Sequence, residues 1–276
     1  MAGGVRGAVD GRTPLACWVA SSIAAALLAH GAPSLASASW PRRVLLPGLA
    51  GIGRADRVAL TFDDGPDPAS TPAFLAALDA LGWKATFFLL GTMVRRAPSL
   101  AAEVAAAGHE IGLHGDEHRN LLMRGPQATV RDLRRGLDTV ARATGRTPAW
   151  YRPPYGVLTT PALVAAARLR LRPVLWTTWG RDWRARATPG SVAAEVCGGL
   201  VPGATVLLHD SDCTSAPGAW RSALGALPLL AAHLEAAGLA VGPLGGHGIR
   251  AAGIGGPTGP SPASPQDRPP CPRGRL

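Results

Sequence analysis

Polar residues suited to amide hydrolysis follow five short apolar or β-rich runs in this chain. They comprise two adjacent carboxylates, two histidines four residues apart, an arginine, and a separate aspartate and histidine. Such a set can build a metal site, a general base and a general acid. The positions are Asp63 with Asp64, His114 with His118, Arg152, Asp182 and His209.

Asp63 and Asp64 directly follow the β-rich run 58–62 and precede Gly65. Neighbouring side chains at the end of a strand point in different directions. One carboxylate can therefore bind a metal ion while the other acts as a base. The structural alternative is a plain turn in which Gly65 supplies a positive φ.

His114 and His118 are separated by four residues, so their side chains face the same point if the segment turns as a helix does. Two imidazoles and one carboxylate suit Zn²⁺ or a similar divalent ion, and they leave positions open for water and substrate. The alternative is a pair of exposed loop histidines. Asp116 and Glu117, which lie between the two histidines, are expected to be solvated loop charges.

The segment Arg152-Pro153-Pro154-Tyr155 is expected to be rigid, because its prolines fix φ and hold the chain extended. Such a segment can line a groove and aim Arg152 at a carboxylate. It can also present the Tyr155 backbone N–H to a developing oxyanion. The alternative is a plain proline-rich loop.

Asp182 and His209 form a second candidate pair. An aspartate that accepts a hydrogen bond from an imidazole fixes its tautomer and raises its pKa, so that the histidine can protonate a leaving amine. Asp210 and Asp212 are alternative partners because they lie close to His209 in the sequence. Trp183, beside Asp182, is a candidate wall for stacking against a sugar.

Strand and helix signals alternate from residue 57 onward and must position these side chains. Repeated βα units predict a largely parallel sheet, and six or seven units favour a barrel smaller than the eight-fold form. An open doubly wound sheet is the alternative. In either fold the polar residues would converge at the carboxyl ends of the strands. The predicted strands are 58–62, 85–90, 110–113, 150–151, 173–178, 204–208 and 239–241.

The chain divides into four predicted segments. Residues 1–40 have the layout of a signal peptide or membrane-anchor leader, with an apolar run that is short beside the roughly 20 residues of a membrane span. A simple amphiphilic leader helix is a further alternative. We expect export or anchoring at the cell envelope, and a cytoplasmic protein if the leader is no signal. A linker (41–56), the catalytic domain (57–245) and a disordered Pro/Gly-rich tail (246–276) follow.

The composition favours a single catalytic domain without a nucleic-acid partner. A chain of 276 residues with 47% hydrophobic content can bury one sizeable core. The net charge of +10 comes from scattered arginines, with Lys84 as the single lysine, and no block of five like charges occurs. Nucleic-acid binding calls for a basic stripe or a binding motif, and this sequence has neither.

The remaining cysteines and histidines are expected to lie outside the site. The cysteines form no CxxC pair, which argues against a cysteine zinc site. Cys197 and Cys213 are candidates for a disulfide, and Cys213 with His209 is an alternative Cys/His nucleophile. His109 is expected to be structural, and His247 to lie on the surface.

Together these residues resemble the polysaccharide deacetylases of the NodB-homology type, the family-four carbohydrate esterases. The resemblance covers roughly residues 55–243 and includes the five motifs of the family in order. It implies a distorted (β/α) barrel. It also implies removal of acetyl groups from N-acetylated, sometimes O-acetylated, sugars with a divalent metal: Zn²⁺, or else Co²⁺, Ni²⁺ or Mn²⁺. Gly115 departs from the family, which usually has Ser or Thr there.

The resemblance also implies a role for each matching residue. Asp63 would be the base, oriented by Arg152, and His209 would be the general acid, oriented by Asp182. Tyr155 would help to form the oxyanion hole. The metal ligands would be Asp64, His114 and His118, and the residues that contact substrate would be Pro153, Tyr155 and Trp183.

The expected partner is an acetylated glycan such as a chitin-like polymer or peptidoglycan. Two alternatives stay open from the sequence. One is an amide or ester hydrolase that acts on a non-sugar small molecule. The other is a catalytically dead envelope protein that binds glycan.

Overall fold

The computed structural model describes residues 15–37 and 39–249. The strands are β1 (Arg57–Asp63), β2 (Thr86–Leu89), β3 (Glu110–Leu113), β4 (Trp150–Tyr151), β5 (Arg172–Pro173), β6 (Thr178–Trp179), β7 (Thr205–His209) and β8 (Ala240–Gly242). The helices are α1 (Leu15–Gly31), α2 (Ser39–Leu45), α3 (Pro47–Ala50), α4 (Thr71–Ala80), α5 (Gly91–Arg96), α6 (Pro98–Ala106), α7 (Pro126–Thr144), α8 (Thr160–Arg168), α9 (Pro189–Gly198) and α10 (Trp220–Ala236).

The strands form one sheet in which every pairing is parallel. Seven of them follow the order β5-β4-β3-β2-β1-β7-β6, and β8 pairs with the first residues of β1. The sheet curls into a half-barrel, and helices surround it. The prediction of an α/β fold with a distorted barrel of six to seven parallel strands is confirmed.

β1 is an interior strand of the sheet, between β2 and β7. Its side chains are buried on both faces, as is typical of a parallel strand covered by helices. Phe62 of β1 packs against Phe74 of α4 and Phe87 of β2, with ring centroids 5.2 and 5.0 Å apart. These contacts fix the strand that ends in the adjacent aspartates.

The helices on the outside begin and end at residues that the sequence marks. A proline occupies the first turn of α4, α6, α7, α8 and α9. Thr188 and Ser191 form a capping box at the start of α9. Gly145, in the left-handed region, ends α7.

The prediction of a single strand over 173–178 is wrong, because only its ends lie in strands, Pro173 in β5 and Thr178 in β6. The Val174 N–H donates to the carbonyl oxygen of Tyr151 in β4 (2.9 Å), whereas the Thr177 N–H donates to that of Thr205 in β7 (3.0 Å). The chain therefore crosses from one edge of the sheet to the other between β5 and β6. This connection contains no helix, unlike the other βα units.

The described part of the predicted leader begins with helix α1, Leu15–Gly31. The stretch Trp18–Ala36 is long and apolar enough to cross a membrane, a test that signal sequences also meet. The expected linker 41–56 includes α3 and part of α2, and Ala50 is fully buried. The leader assignment and the domain boundaries remain predictions.

Most of the predicted tail 246–276 lies outside the described residues. His247 is an exception, and the expectation that it lies on the surface is wrong. Its side chain is buried, and its Nε2 atom lies 2.9 Å from the carbonyl oxygen of Gly203. The ring fits because Gly53 has no side chain; a Cβ atom there would collide with it.

Candidate active site

The carboxyl ends of the strands hold the predicted polar residues. Asp63 is the last residue of β1 and pairs in register with His209, the last residue of β7. His114 directly follows β3, and Arg152 directly follows β4. Asp182 follows β6, and its carboxylate reaches His209. The sheet thus brings these residues to one edge, although they are far apart in the sequence.

Asp64, His114 and His118 form a cluster of potential metal ligands whose donor atoms lie within 4.8 Å of one another. The Oδ1 atom of Asp64 is 3.4 Å from Nε2 of His114 and 3.5 Å from Nε2 of His118. Two ligand atoms about 2.1 Å from a tetrahedral Zn²⁺ ion lie about 3.4 Å apart. The spacing therefore fits one divalent cation bound by all three residues.

His114 is held in the form that can bind a cation. Its Nδ1 atom donates to the carbonyl oxygen of Arg152 at 2.8 Å. Burial lowers the pKa of His114 to about 3, although the nearby Asp64 charge opposes that shift. The ring is therefore neutral at pH 7, and its lone pair lies on Nε2, as in metal-bound histidines whose other nitrogen is hydrogen-bonded.

Asp64 has one carboxylate oxygen engaged and one available. The Thr214 hydroxyl donates to Oδ2 of Asp64 at 2.6 Å. Among the described residues no group donates to the other oxygen, Oδ1, even though Asp64 is completely buried. A buried carboxylate oxygen without a donor is costly unless a cation or hydrogen bond compensates it. The donor set fits a divalent metal ion.

Asp63 lies beside this cluster. Its Oδ1 atom accepts a hydrogen bond from Nη1 of Arg152 (2.8 Å), and its Oδ2 atom is 3.8 Å from Nε2 of His114. Arg152 is completely buried and also donates to the Thr61 hydroxyl (2.7 Å) and the Leu175 carbonyl oxygen (2.9 Å). Burial raises the pKa of Asp63, and the Arg152 charge opposes that shift. One oxygen of Asp63 is thus fixed and the other faces the cluster, as a proton acceptor requires.

Asp182 contacts His209 through both carboxylate oxygens. Oδ2 accepts the backbone N–H of His209 (2.7 Å), and Oδ1 lies 3.0 Å from Nδ1 of the ring. Burial favours the neutral ring, but the charges of Asp182, Asp64 and Asp63 together outweigh it and raise the pKa of His209 to about 10. His209 therefore carries a proton at pH 7 that it can donate.

The other groups near His209 are engaged elsewhere. Asp210 accepts a hydrogen bond from the Thr71 hydroxyl at 2.5 Å, and Asp212 accepts the backbone N–H of Gly218. Asp182 is therefore the carboxylate that pairs with the ring. Cys197 and Cys213 are free thiols, and the Cys213 thiol donates to the carbonyl oxygen of Asp64 (3.6 Å).

Aromatic side chains flank the cluster. Tyr155 has φ +59°, which is uncommon for a non-glycine residue. Its side chain is 58% exposed, and its ring centroid lies 4.4 Å from that of His118 in an edge-on arrangement. The Trp183 ring lies 5.7 Å from His209. Pro153 is buried, and its part in substrate binding remains a prediction.

The loop between His114 and His118 is held by a carboxylate from α7. Asp132 accepts the backbone N–H groups of Asp116 and Glu117, each at 3.2 Å. Gly115 has φ +100°, and a Cβ atom there would lie 3.0 Å from Oδ2 of Asp132. Glycine at this position therefore lets the loop approach Asp132 closely.

The expectation that Asp116 is a solvated charge is wrong. Asp116 is buried, and its carboxylate accepts hydrogen bonds from Arg95 and Arg135. These two guanidinium groups compensate the buried charge, which would otherwise be costly.

Three residues that complete the site escape the sequence reasoning. Thr61 precedes Asp63 by two positions, so strand periodicity could have placed it on the same face. Thr214 lies in the polar stretch after His209, but only the folded chain brings it to Asp64. Asp132 carries no local signal, since it is one of several charges on α7.

Comparison with known proteins gives consistent matches. A family model described as polysaccharide deacetylase matches residues 51–174. The chitooligosaccharide deacetylase of Bradyrhizobium sp. (strain ANU 289) is 34% identical over 195 residues, which cover 68% of this chain and 88% of the relative. The peptidoglycan-N-acetylglucosamine deacetylase PgdA of Listeria monocytogenes serotype 1/2a is 34% identical over 189 residues, 68% of this chain and 40% of the relative. The chain thus spans less than half the length of the Listeria protein.

Two solved structures have a similar fold. The Bc1960 peptidoglycan N-acetylglucosamine deacetylase superimposes with a TM-score of 0.68 at 29% identity, covering 75% of this chain and 95% of that chain. BA3943 from Bacillus anthracis, described as a CE4 family pseudoenzyme, superimposes with a TM-score of 0.63 at 26% identity. The match covers 70% of this chain and 65% of the BA3943 chain.

Proposed function

The chain belongs to the polysaccharide deacetylase family, and from this premise we propose that it is a metal-dependent hydrolase that removes N-acetyl groups from an envelope glycan. The substrate class is a chitin-like oligosaccharide or peptidoglycan, the two substrates in the names of its relatives. O-Acetyl groups on such sugars are a second target, because ester hydrolysis uses the same base and acid.

One observation carries the proposal. The Oδ1 atom of Asp64 accepts no hydrogen bond from the described residues, and it lies 3.4 Å from Nε2 of His114 and 3.5 Å from Nε2 of His118. These residues would hold the cation. When bound, it would supply a Lewis acid that polarises the acetyl carbonyl group and lowers the pKa of water. Two nitrogen ligands and one oxygen ligand favour Zn²⁺, with Co²⁺, Ni²⁺ and Mn²⁺ as alternatives.

Asp63 acts as the general base. Arg152 fixes one of its oxygens, so the other is aimed at the cluster and takes a proton from the attacking water. The water oxygen then bonds to the acetamide carbonyl carbon. Burial raises the pKa of Asp63, which makes its carboxylate a stronger proton acceptor.

His209 acts as the general acid. Because its Nδ1 atom is paired with Asp182, its Nε2 atom is the one that can give a proton to the sugar nitrogen as the C–N bond breaks. The water hydroxyl stays on the acetyl carbon, and the proton that Asp63 took from water replaces the one that His209 gave to the nitrogen. The net products are acetic acid, which ionises to acetate, and a free amino sugar, and both residues return to their starting state.

Tyr155 and Trp183 orient the substrate. The backbone N–H of Tyr155, a residue in the left-handed conformation, would donate to the developing oxyanion. The exposed Tyr155 ring and Trp183, on the His209 side, offer apolar faces to sugar rings. Pro153 keeps the intervening backbone extended.

Acetate release from defined substrates tests this proposal. The full chain is loaded with each candidate metal and assayed on acetylated chito-oligomers, peptidoglycan fragments and small non-sugar amides and esters. We expect release from at least one glycan and loss of release after chelation. If only the small amides or esters are hydrolysed, the substrate is a non-sugar compound and the glycan proposal is wrong.

The similarity to a CE4 family pseudoenzyme raises a second candidate function, glycan binding without turnover. The intact set of Asp63, Asp64, His114, His118 and His209 argues against it. Elemental analysis separates the two functions. If the protein binds glycan but holds no bound metal after incubation with one equivalent of the ion, glycan binding without turnover is favoured.

We also propose that the protein works at the cell envelope, exported or anchored through the stretch Trp18–Ala36. Its partner would be the acetylated glycan of that compartment. The catalytic domain would include residues 57–245, which hold every group named in the reaction. Fractionation of cells that express the full chain, with the protein followed by immunoblot, checks this placement.

A further inference from the structure

β5 and β6 lie at opposite ends of the sheet, and the N-terminal residues 42–53, here called the brace, lie across the gap between them. The carbonyl oxygen of Leu49 accepts the N–H of Leu175, in the middle of the crossing, at 2.7 Å. On the β7 side, the Thr205 hydroxyl donates to the carbonyl oxygen of Gly51 at 2.6 Å. The brace therefore bonds both to the crossing between β5 and β6 and to the first residue of β7.

The brace is packed closely against the sheet. A Cβ atom on Gly51 would lie 2.6 Å from the Thr205 hydroxyl oxygen, and one on Gly203 would lie 2.3 Å from the carbonyl oxygen of Gly53. Such approaches leave no room for side chains and are unlike those of a free linker.

Two arginines of the brace bind carbonyl oxygens that the sheet leaves without ladder partners. Nη2 of Arg42 donates to the carbonyl oxygen of Trp176 at 2.7 Å, and Nη2 of Arg43 donates to that of Thr177. Arg42 is only 3% exposed. These two carbonyl oxygens of the crossing are therefore satisfied by arginine side chains, whereas the N–H groups of Val174 and Thr177 bond to β4 and β7.

Arg42 also shares an aromatic partner with Arg152. The guanidinium carbons of both residues lie over the Trp176 ring, each 5.8 Å from its centroid. Phe88 lies 4.1 Å from the guanidinium carbon of Arg152. Arg152 is therefore confined by Phe88 and Trp176, and Arg42 packs against the second of them.

Trp176 also supports the turn that carries Tyr155. A Cβ atom on Gly156 would lie 2.8 Å from Cη2 of Trp176. The indole thus lies directly beneath the residue after Tyr155, so a shift of Trp176 would move both the arginine that holds the base and the turn that offers the oxyanion N–H.

We propose that the brace is part of the catalytic domain, and that Arg42 and Trp176 are positioning residues that hold Arg152 and the Tyr155 turn in place. The catalytic half of this inference rests on the proposed deacetylase function. The docking of the brace does not, because it concerns the folded chain alone.

Limited trypsin digestion of the full chain tests the docking. Arg43 in the brace is compared with Arg184 and Arg186, which are exposed in a loop and serve as internal controls. Mass spectrometry measures the rate of cleavage after each of these arginines. We expect cleavage after Arg184 and Arg186 to be at least about tenfold faster than cleavage after Arg43. Equal rates would identify the brace as a linker and overturn the inference.

Steady-state kinetics of Arg42→Gln test the positioning role, with the exposed Arg134→Gln as the matched control. We expect about a tenfold loss of kcat in R42Q with KM and metal content unchanged, because small misplacement of catalytic groups lowers turnover. Arg42→Lys, which keeps a donor for the Trp176 carbonyl, should recover part of the loss. Wild-type kcat in R42Q would overturn the role.

Trp176→Phe provides a second route if R42Q folds poorly by thermal melting. It keeps an aromatic ring and should lower kcat by a similar factor, and wild-type turnover in this variant would also overturn the role. If the wild-type chain releases no acetate, the proposed function fails, yet the digestion still decides whether the brace is docked.

Discussion

The Nδ1 atom of His114 donates to the backbone carbonyl oxygen of Arg152 at 2.8 Å. The guanidinium group of the same arginine holds Asp63, also at 2.8 Å. One residue therefore orients a proposed metal ligand through its backbone and the proposed base through its side chain. Substitution of the side chain should separate metal binding from turnover.

Arg152→Lys is expected to lower kcat by about 100-fold while the metal affinity stays within a few fold of wild type. A lysine has one nitrogen in place of the two guanidinium nitrogens that reach Thr61, Asp63 and Leu175, but the carbonyl oxygen that accepts from His114 remains. Acetate release and chelator competition measure the two quantities, and a thermal melt verifies folding. Parallel loss of metal and activity would contradict this division.

Asp63→Asn should retain metal and lose at least about 100-fold in turnover, because the amide cannot take a proton from water. The Asp64, His114 and His118 ligands are untouched in this variant. His114→Ala should lose both metal and activity. Elemental analysis and acetate release distinguish the two variants, and wild-type activity in D63N would exclude Asp63 as the base.

Local sequence information suffices for the site residues that end strands. Asp63, His114, Arg152 and His209 each follow an apolar run, and parallel strands bring such ends together. The same reasoning predicts the alternation of strands and helices. It works because burial on both faces of a strand and proline at helix starts leave a pattern within a few residues.

Contacts between distant segments leave no such pattern. Nothing near Thr214 indicates that its hydroxyl donates to Asp64, and nothing near Asp116 indicates that Arg95 and Arg135 cover it. The apolar run 173–178 fits a single strand locally, yet the chain crosses the open side of the half-barrel there. These features depend on packing and not on the periodicity of a segment.

Asp182→Asn is expected to shift the alkaline limb of the kcat profile to lower pH. His209 must be protonated to act as the acid, so wild-type activity falls as the pH rises through its pKa, which the Asp182 charge raises above the ordinary value. Loss of the Asp182 charge removes the strongest influence that raises this pKa, while burial continues to lower it. Asp212→Asn, which changes a nearby carboxylate bonded to Gly218, is the control and should leave the limb in place.

Thr214→Val should weaken metal binding by about tenfold, the effect expected of losing a hydrogen bond that orients a ligand. Valine matches threonine in shape but cannot donate to Oδ2 of Asp64, which would then be buried without a donor. Titration of the metal-free protein against a chromophoric chelator measures the change. Ser215→Ala is the neighbouring control, and equal affinity in T214V and wild type would show that Thr214 does not orient Asp64.

His109 provides a test of stability that is independent of the active site. Its Nδ1 atom accepts the backbone N–H of Ala85 at 3.2 Å, which requires an unprotonated nitrogen. Burial lowers the pKa of His109 to about 4, below its ordinary value of 6.5. The unfolded chain therefore binds a proton at higher pH than the folded chain does. The contribution of His109 is fully present above pH 6.5 and is lost as the pH falls towards 4.

His109→Asn keeps an acceptor for the Ala85 N–H but has no titrating group. Between pH 7.5 and pH 5, the free energy of unfolding of the wild type should fall by about 2 kcal/mol more than that of the variant. Urea unfolding at the two pH values measures the difference. His233→Asn, which replaces an exposed histidine, should behave like the wild type. An equal fall in H109N and wild type would mean that His109 is already protonated, or free to become so, in the folded protein.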